Sequence, residues 1–274
     1  MREKALLIFN WTNSLGCIKF FNMKLAVSGK GGVGKTTVSA LLAYLFARRG
    51  MNVLAIDADP SPHLADALGF PEAENITPLA EMKELLMERS GSQGGAFYNL
   101  NPRVEDLPER FMVTKDNIHL MVLGSVQKGG SGCACPENMV LRTLVRKLFT
   151  SESEVIILDM EAGVEHLGRA TVQAVNALLI VVEPSRGSIE TTEKIIRLAK
   201  EIGLDRLFLV GNKIRNQSDR DYITTRLKDL PMAGFLPLDM KVSDAEREGT
   251  PPFAASTELR EAGENIIKQV MSNE

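Results

Sequence analysis

The chain has 274 residues, 44% of them hydrophobic and 24% charged, with a net charge of −3. That is enough apolar material for one sizeable core, and the charge balance excludes the basic footprint of a chain whose main partner is nucleic acid or an anionic membrane. No apolar run approaches the ~18 residues of a membrane span, and the three cysteines, Cys17, Cys133 and Cys135, are too few for a disulfide framework, so a single domain in the reducing cytoplasm is expected.

Residues Met1 to Asn22 carry Arg2, Lys4 and a single short apolar run, Ala5 to Phe9, without the core length or the Ala-x-Ala site of a secretion signal. They read as an extension or an upstream start, with one domain over residues 23–274. Leu25 to Val27 reads as a buried strand that feeds Gly29-Lys30-Gly31-Gly32-Val33-Gly34-Lys35-Thr36, which fits the pattern Gly, four residues, Gly-Lys-Ser/Thr. A triphosphate needs backbone N–H groups close around its oxygens, and glycines let the backbone approach. Lys35 is placed to reach the β- and γ-phosphates and Thr36 to hold Mg²⁺, ahead of a helix from Val38 to Arg49 ended by Gly50. A glycine-rich turn that binds nothing is the bland alternative.

Val53 to Ile56 is a short apolar strand that delivers Asp57-Ala58-Asp59-Pro60 at its carboxyl end. Both aspartates suit carboxylate chemistry there, and both also suit simple turn capping. Between Pro71 and Asn117 the pattern is weaker: Pro78 to Arg89 is expected as an amphipathic helix and Ser90 to Gly95 as a link, with no chemistry assigned. Ile118 to Leu123 resumes the strand pattern and runs on to Gly129-Gly130-Ser131-Gly132-Cys133-Ala134-Cys135-Pro136. Pro136 suits the first position of a helix reaching Phe149, which puts Cys135 near an N-terminus that favours thiolate. Two thiols do not complete a tetrahedral soft-metal site, so a metal here requires a second Cys-x-Cys from a partner subunit. By spacing alone the thiols are equally open to being apolar fillers, a labile redox pair or inert.

Glu154 to Asp159 is an apolar strand ending in a carboxylate, the arrangement in which Asp159 supports Mg²⁺, and Met160-Glu161-Ala162-Gly163 follows it. Ala177 to Glu183 reads as a strand, Ile189 to Glu201 as an amphipathic helix and Leu207 to Val210 as a strand ending in Gly211-Asn212-Lys213. The last segment, Ser256 to Met271, is expected as a closing helix. Its Glu258, Glu261 and Glu264 outnumber Arg260 and Lys268, which argues against a basic membrane-binding helix.

The second lysine of the glycine loop, Lys30, extends the pattern to Lys-Gly-Gly-x-Gly-Lys-Thr-Thr over Lys30 to Thr37. In this the chain resembles the deviant-loop ATPases: MinD- and ParA-type division-site and partition ATPases, nitrogenase iron protein and metal-site assembly ATPases. The resemblance implies a P-loop α/β fold, a doubly wound and mostly parallel sheet, and a nucleotide-dependent homodimer in which Lys30 reaches the partner's nucleotide. It places ATP or ADP on Gly29, Lys30, Gly31, Gly32, Val33, Gly34, Lys35, Thr36 and Thr37. It makes Asp59 the orienter of the attacking water, with Asp57 and Asp159 around Mg²⁺ and Gly163 in a second switch. Asn212 then bonds the adenine amino edge, Lys213 lies beside the ring, and Pro237 opens a second purine-contacting loop.

Within that family, Gly-Gly-x-Gly-Cys-x-Cys-Pro, together with Asn101 to Glu109, looks like the CooC-type accessory ATPases of nickel-containing carbon monoxide dehydrogenase. That likeness implies a Zn²⁺ or Ni²⁺ ion shared across the dimer by Cys133 and Cys135, and an apo-carbon monoxide dehydrogenase as client. Two alternatives remain open. A partition-type positioning ATPase needs a basic DNA-binding face and no Cys-x-Cys. An iron–sulfur or redox carrier would use the same thiols, although residues 159–169 lack the cysteine that nitrogenase iron protein holds near its second switch.

Overall fold

The computed structural model describes residues 22–91, 99, 101–124, 136–150, 153–161 and 175–272. Apolar runs form β1 (Met23–Gly29), β2 (Val53–Ala58), β3 (Val113–Lys115), β4 (Ile118–Val122), β5 (Val155–Met160), β6 (Ala177–Val182), β7 (Leu207–Ile214) and β8 (Met232–Pro237). They make one eight-stranded sheet in the order β3-β4-β2-β5-β1-β6-β7-β8. Only the short edge strand β3 runs antiparallel to its neighbour; the other strands pair in parallel. Every residue of β2, β5 and β6 is buried, which is why these strands read as unbroken apolar runs in place of alternating ones.

Among the described residues the helices are α1 (Lys35–Arg48), α2 (Leu64–Leu68), α3 (Lys83–Ser90), α4 (Leu107–Phe111), α5 (Pro136–Leu148), α6 (Arg186–Glu201), α7 (Gln217–Arg226), α8 (Met240–Arg247), α9 (Pro252–Ala255) and α10 (Thr257–Ser272). They cover both faces. Ile156, Leu158, Leu178 and Ile180 pack with Leu144 of α5, Ile195 of α6 and Ile223 of α7. Their strand neighbours Val155, Ile157, Leu179 and Val181 pack with Leu41 and Leu45 of α1 and Ile266 of α10. Side chains alternate across a strand, so each strand feeds both cores, and each large buried aliphatic group contributes about 1.5–3 kcal/mol. This is the doubly wound, mostly parallel sheet that the sequence predicts.

The winding positions the site. From central β1 the chain passes through α1 to β2 on one side, while β6, β7 and β8 build outward on the other. The carboxyl ends of β1, β2, β5 and β7 therefore open on a common crevice, where open α/β sheets bind ligands.

One expectation is corrected here and one extended. Pro78 to Arg89 is not one helix: a 3₁₀ turn covers Leu79–Glu81, Met82 leaves the helical region at φ −80°, ψ 63°, and α3 begins only at Lys83. The break follows from tertiary pairing, because the Ala80 N–H donates to the Leu123 carbonyl at the end of β4 (2.9 Å). The strand read from Leu207 and ending in Gly211-Asn212-Lys213 includes those three residues and runs on to Ile214. The extension up to Phe21 and the segments 92–98 and 125–135, which include most of the expected link and the Cys-x-Cys run, lie outside the described residues.

Candidate functional site

The turn from β1 to α1 is shaped by one backbone requirement. Gly34, at the N-cap of α1, sits at φ 94°, ψ 32°, and a Cβ on it would collide with the Asn212 amide nitrogen. Only glycine satisfies both conditions. The Gly34 carbonyl accepts the first helical bond from Val38 N–H (3.0 Å). No side chain caps α1 and its first turn holds no acidic residue of its own, so the helix leaves its positive end uncapped at the crevice. A phosphate is the kind of anion that such an end receives.

The loop is gripped from behind by two successive residues of β7. Asn212 Nδ2 donates to the Val33 carbonyl (2.7 Å), and Lys213 Nζ donates to the Gly32 carbonyl (2.6 Å). Lys35 is 7% exposed, and its ammonium lies 3.9 Å from Asp59 Oδ2. Lys30 reaches the first turn of α6, with its Nζ 3.5 Å from where a Cβ on Gly187 would stand.

Opposite the loop, β2 and β5 place Asp57 and Asp159 side by side as register partners, at 0% and 1% exposure. Thr36 Oγ1 donates to Asp159 Oδ2 (2.7 Å), and Ser39 Oγ donates to Oδ1 (3.1 Å). Burial pushes the Asp159 carboxyl up to about 7; the charge of Asp57 adds to the rise, while Thr36, Ser39 and Lys35 oppose it. Burial likewise pushes Asp57 up to about 6, against the N–H groups of Leu64, Asp59 and His63 and with the Asp59 charge raising it. Two carboxylates in a dry crevice, with Lys35 as the cation nearby, form a negative excess that a divalent cation would neutralise. The oxygens of Thr36, Asp57 and Asp159 are the hard donors that Mg²⁺ takes, so the residues present fit that ion.

Asp57 and Asp59 also cap the turn that follows them. Asp57 accepts from Leu64 N–H (2.9 Å) at the start of α2 and from Asp59 N–H (3.1 Å), and Asp59 Oδ1 accepts from Ser61 N–H (3.0 Å). Capping thus coexists with a position facing the crevice, since Asp59 Oδ2 points to Lys35.

Several site residues escape the sequence patterns. Ser39 lies one helical turn after Thr36, a spacing that lets both reach Asp159. Glu246 of α8 accepts from the Thr37 hydroxyl (2.9 Å), and no local pattern announces a partner more than two hundred residues away. Thr36, Thr37, His63, Asp66 and Glu246 help to line a cavity of about 400 Å³ beside the loop. Ser28 Oγ donates to the Glu161 carbonyl (3.3 Å), which ties β1 to the start of the expected second switch. Pro237 closes β8 in register with Ile214, followed by exposed Leu238 and Met240.

Gly163, Cys133 and Cys135 lie outside the described residues. The helix expected to follow the thiols does begin at Pro136. Among the described residues no group of three or more His, Cys, Asp or Glu is arranged to hold a metal, and no helix is long and apolar enough to cross a membrane.

Comparison with known proteins gives one consistent family. Residues 24–253 match the CobQ/CobB/MinD/ParA nucleotide binding domain. The carbon monoxide dehydrogenase accessory protein CooC of Rhodospirillum rubrum is 39% identical over 91% of this chain and 96% of its own length. An uncharacterized ATP-binding protein of Methanocaldococcus jannaschii is also 39% identical, over 90% of this chain and 98% of its own. Among solved structures, the MinD cell division protein of Aquifex aeolicus superposes with a TM-score of 0.66 at 23% identity, covering 92% of this chain and 97% of that one. The septum site-determining protein MinD of Pyrococcus horikoshii, complexed with Mg-ADP, does so at 0.64 and 22%, covering 91% and 95%. At these identities the two structures speak for the fold alone.

Proposed function

The chain belongs to the CobQ/CobB/MinD/ParA nucleotide-binding family and is a P-loop ATPase, and from that premise we propose that it is an ATP-driven homodimeric factor that delivers nickel to carbon monoxide dehydrogenase. The observation that carries the client assignment is the likeness to CooC at 39% identity over nearly the whole of both chains. The Cys-x-Cys of Cys133 and Cys135, which immediately precedes α5, is consistent with it.

In this reading the triphosphate lies on the N–H groups of the loop from Gly29 to Thr37. Lys35 neutralises charge that builds on the γ-phosphate, and Asp59, next to it, orients the attacking water. Bound Mg²⁺ would supply charge neutralisation at the phosphate oxygens. Thr36, Asp57 and Asp159 would hold it, with Asp159 kept in place by the hydroxyls of Thr36 and Ser39. Water adds to the γ-phosphorus as the bond to the bridging oxygen breaks, giving ADP and phosphate. The Asn212 amide nitrogen is committed to the Val33 carbonyl, which leaves its oxygen to accept from the adenine amino group. Glu246, bonded to Thr37, lines the cavity beside the loop and would be open to a further donor from the ligand.

Lys30 would leave its position by Gly187 and cross to the partner's nucleotide, so ATP favours the closed dimer. That dimer brings two Cys-x-Cys pairs together, and four thiolates complete a tetrahedral Zn²⁺ or Ni²⁺ site. ATP changes metal affinity to the extent that the open and closed dimers bind metal differently. The test is reconstitution: nickel-free carbon monoxide dehydrogenase incubated with Ni²⁺, Mg-ATP and this protein should gain activity, and Lys35→Ala should remove the gain. Equal activation with and without ATP, or with the Lys35→Ala chain, contradicts the proposal.

A further inference from the structure

We infer that Lys213 is a positioning residue for the phosphate loop, acting on the triphosphate end of the ligand and not on its base. The inference rests on the nucleotide reading above. Three observations converge on it. Lys213 holds a left-handed backbone, φ 58°, which a non-glycine residue rarely adopts and which is strained for it. Its side chain crosses to the loop and donates from Nζ to the Gly32 carbonyl (2.6 Å), next to the Val33 carbonyl that Asn212 grips. The same ammonium lies 3.6 Å from Glu183 Oε2, at the end of the strand paired with β7.

The physical consequence is directional. A peptide unit carries its C=O and N–H on opposite sides, so a loop can aim N–H groups at a phosphate only if the matching carbonyls are held away from it. The Gly32 carbonyl backs a turn whose Val33 N–H closes on the Lys30 carbonyl (3.3 Å), and the Val33 carbonyl shares the next peptide unit with the Gly34 N–H; neither carbonyl is held by a helix or strand. A glycine-rich loop is otherwise free to turn its carbonyls inward, where they would repel phosphate oxygens. Lys213 and Asn212 hold both carbonyls on the β7 side. Glu183 sets the lysine: its carboxylate accepts from the Ser185 hydroxyl (3.1 Å), and Ser185 caps α6, which Lys30 touches at Gly187. The lysine therefore joins the loop to the element against which the dimer-crossing lysine rests.

If Lys213 packs beside the adenine ring, its loss alters base discrimination; if it holds the loop, its loss weakens any triphosphate alike. Equilibrium binding of Mg-ATP, Mg-GTP and inorganic tripolyphosphate, which lacks a base, separates the two. Lys213→Met should weaken ATP and tripolyphosphate by the same factor, on the order of tenfold, as expected for a lost charged hydrogen bond. The ATP-to-GTP ratio should be unchanged. Lys213→Arg, which keeps a cationic donor, should recover most of the affinity. Lys213→Gly, which relieves the backbone but removes the grip, should behave like Lys213→Met. A changed ATP-to-GTP ratio with unaltered tripolyphosphate binding overturns the inference, as does an undiminished affinity in Lys213→Met. A wild-type chain that binds neither ATP nor tripolyphosphate overturns the nucleotide reading itself, and this inference with it.

Discussion

Asp159 stands 1% exposed beside the equally buried Asp57, and its carboxyl is pushed to about 7 chiefly by burial. A carboxyl whose folded-state value exceeds its unfolded one binds protons more tightly in the fold. Its contribution to stability is therefore fully present below the unfolded value and is lost as pH rises through the folded one. Without nucleotide the protein should lose thermal stability between about pH 4 and pH 7, and Mg-ATP should restore it. Asp159→Asn should raise the nucleotide-free melting temperature at pH 8, on the order of 5 °C, while abolishing Mg²⁺-dependent ATP hydrolysis. Melting curves in chelator across that pH range check the sign; a variant less stable than the parent at pH 8 would contradict it. Gly34→Ala should abolish nucleotide binding, because the new methyl meets the Asn212 amide at a φ that alanine resists; tight binding of a fluorescent ATP analogue by that variant would be the contrary result. At this scale the glycine loop and the strand-end carboxylates stand out in the sequence, because each is a short pattern whose chemistry is local. The Glu246–Thr37 bond and the grip of Lys213 on Gly32 were not, because they join residues far apart in the chain.

Elements read well where burial dominates. The central strands and α5, α6 and α10 carry long apolar patterns that match their observed spans closely. Misreadings fall where a tertiary partner decides. Pro78 to Arg89 has helical composition, yet the bond from Ala80 to Leu123 tightens its start into a 3₁₀ turn. α7 carries no apolar periodicity to announce it, because Ile223 is its one fully buried apolar side chain, and it is started by the Asn216 side chain accepting from Asp219 N–H. β8 hides Gly234, whose value lies in packing: a Cβ there would stand 2.7 Å from Ile266 Cγ1 of α10. Gly234→Ala should therefore destabilise the protein by about 1–3 kcal/mol through overpacking. Cutting Ile266 to Ala in the same chain removes Cγ1, so the double variant should lose less than the sum of the two single losses, measured by urea unfolding; strict additivity would mean that the two side chains do not meet.

At the scale of the whole molecule, the fold explains how one crevice collects groups from β1, β2, β5 and β7, and the proposed dimer gives Lys30 a role there in a second subunit. Lys30 resting by Gly187 is the one-chain arrangement; in the proposed dimer it serves the other chain's nucleotide. Lys30→Gln should leave ATP binding within about threefold but cut the specific ATPase rate by at least about tenfold, and remove its rise with protein concentration. A concentration-dependent rate equal to the parent's would contradict a trans role. The proposed metal site is the part least readable from one chain, since in that proposal two thiols gain meaning only when a partner supplies two more. The most direct measurement is Zn²⁺ and Ni²⁺ titration of the purified protein with and without ATP, beside the Cys133→Ala/Cys135→Ala variant. The account predicts one tightly bound metal per two chains, an affinity that changes with ATP, and loss of both in the variant. Unaltered stoichiometry in the variant, or an affinity indifferent to ATP, would contradict it.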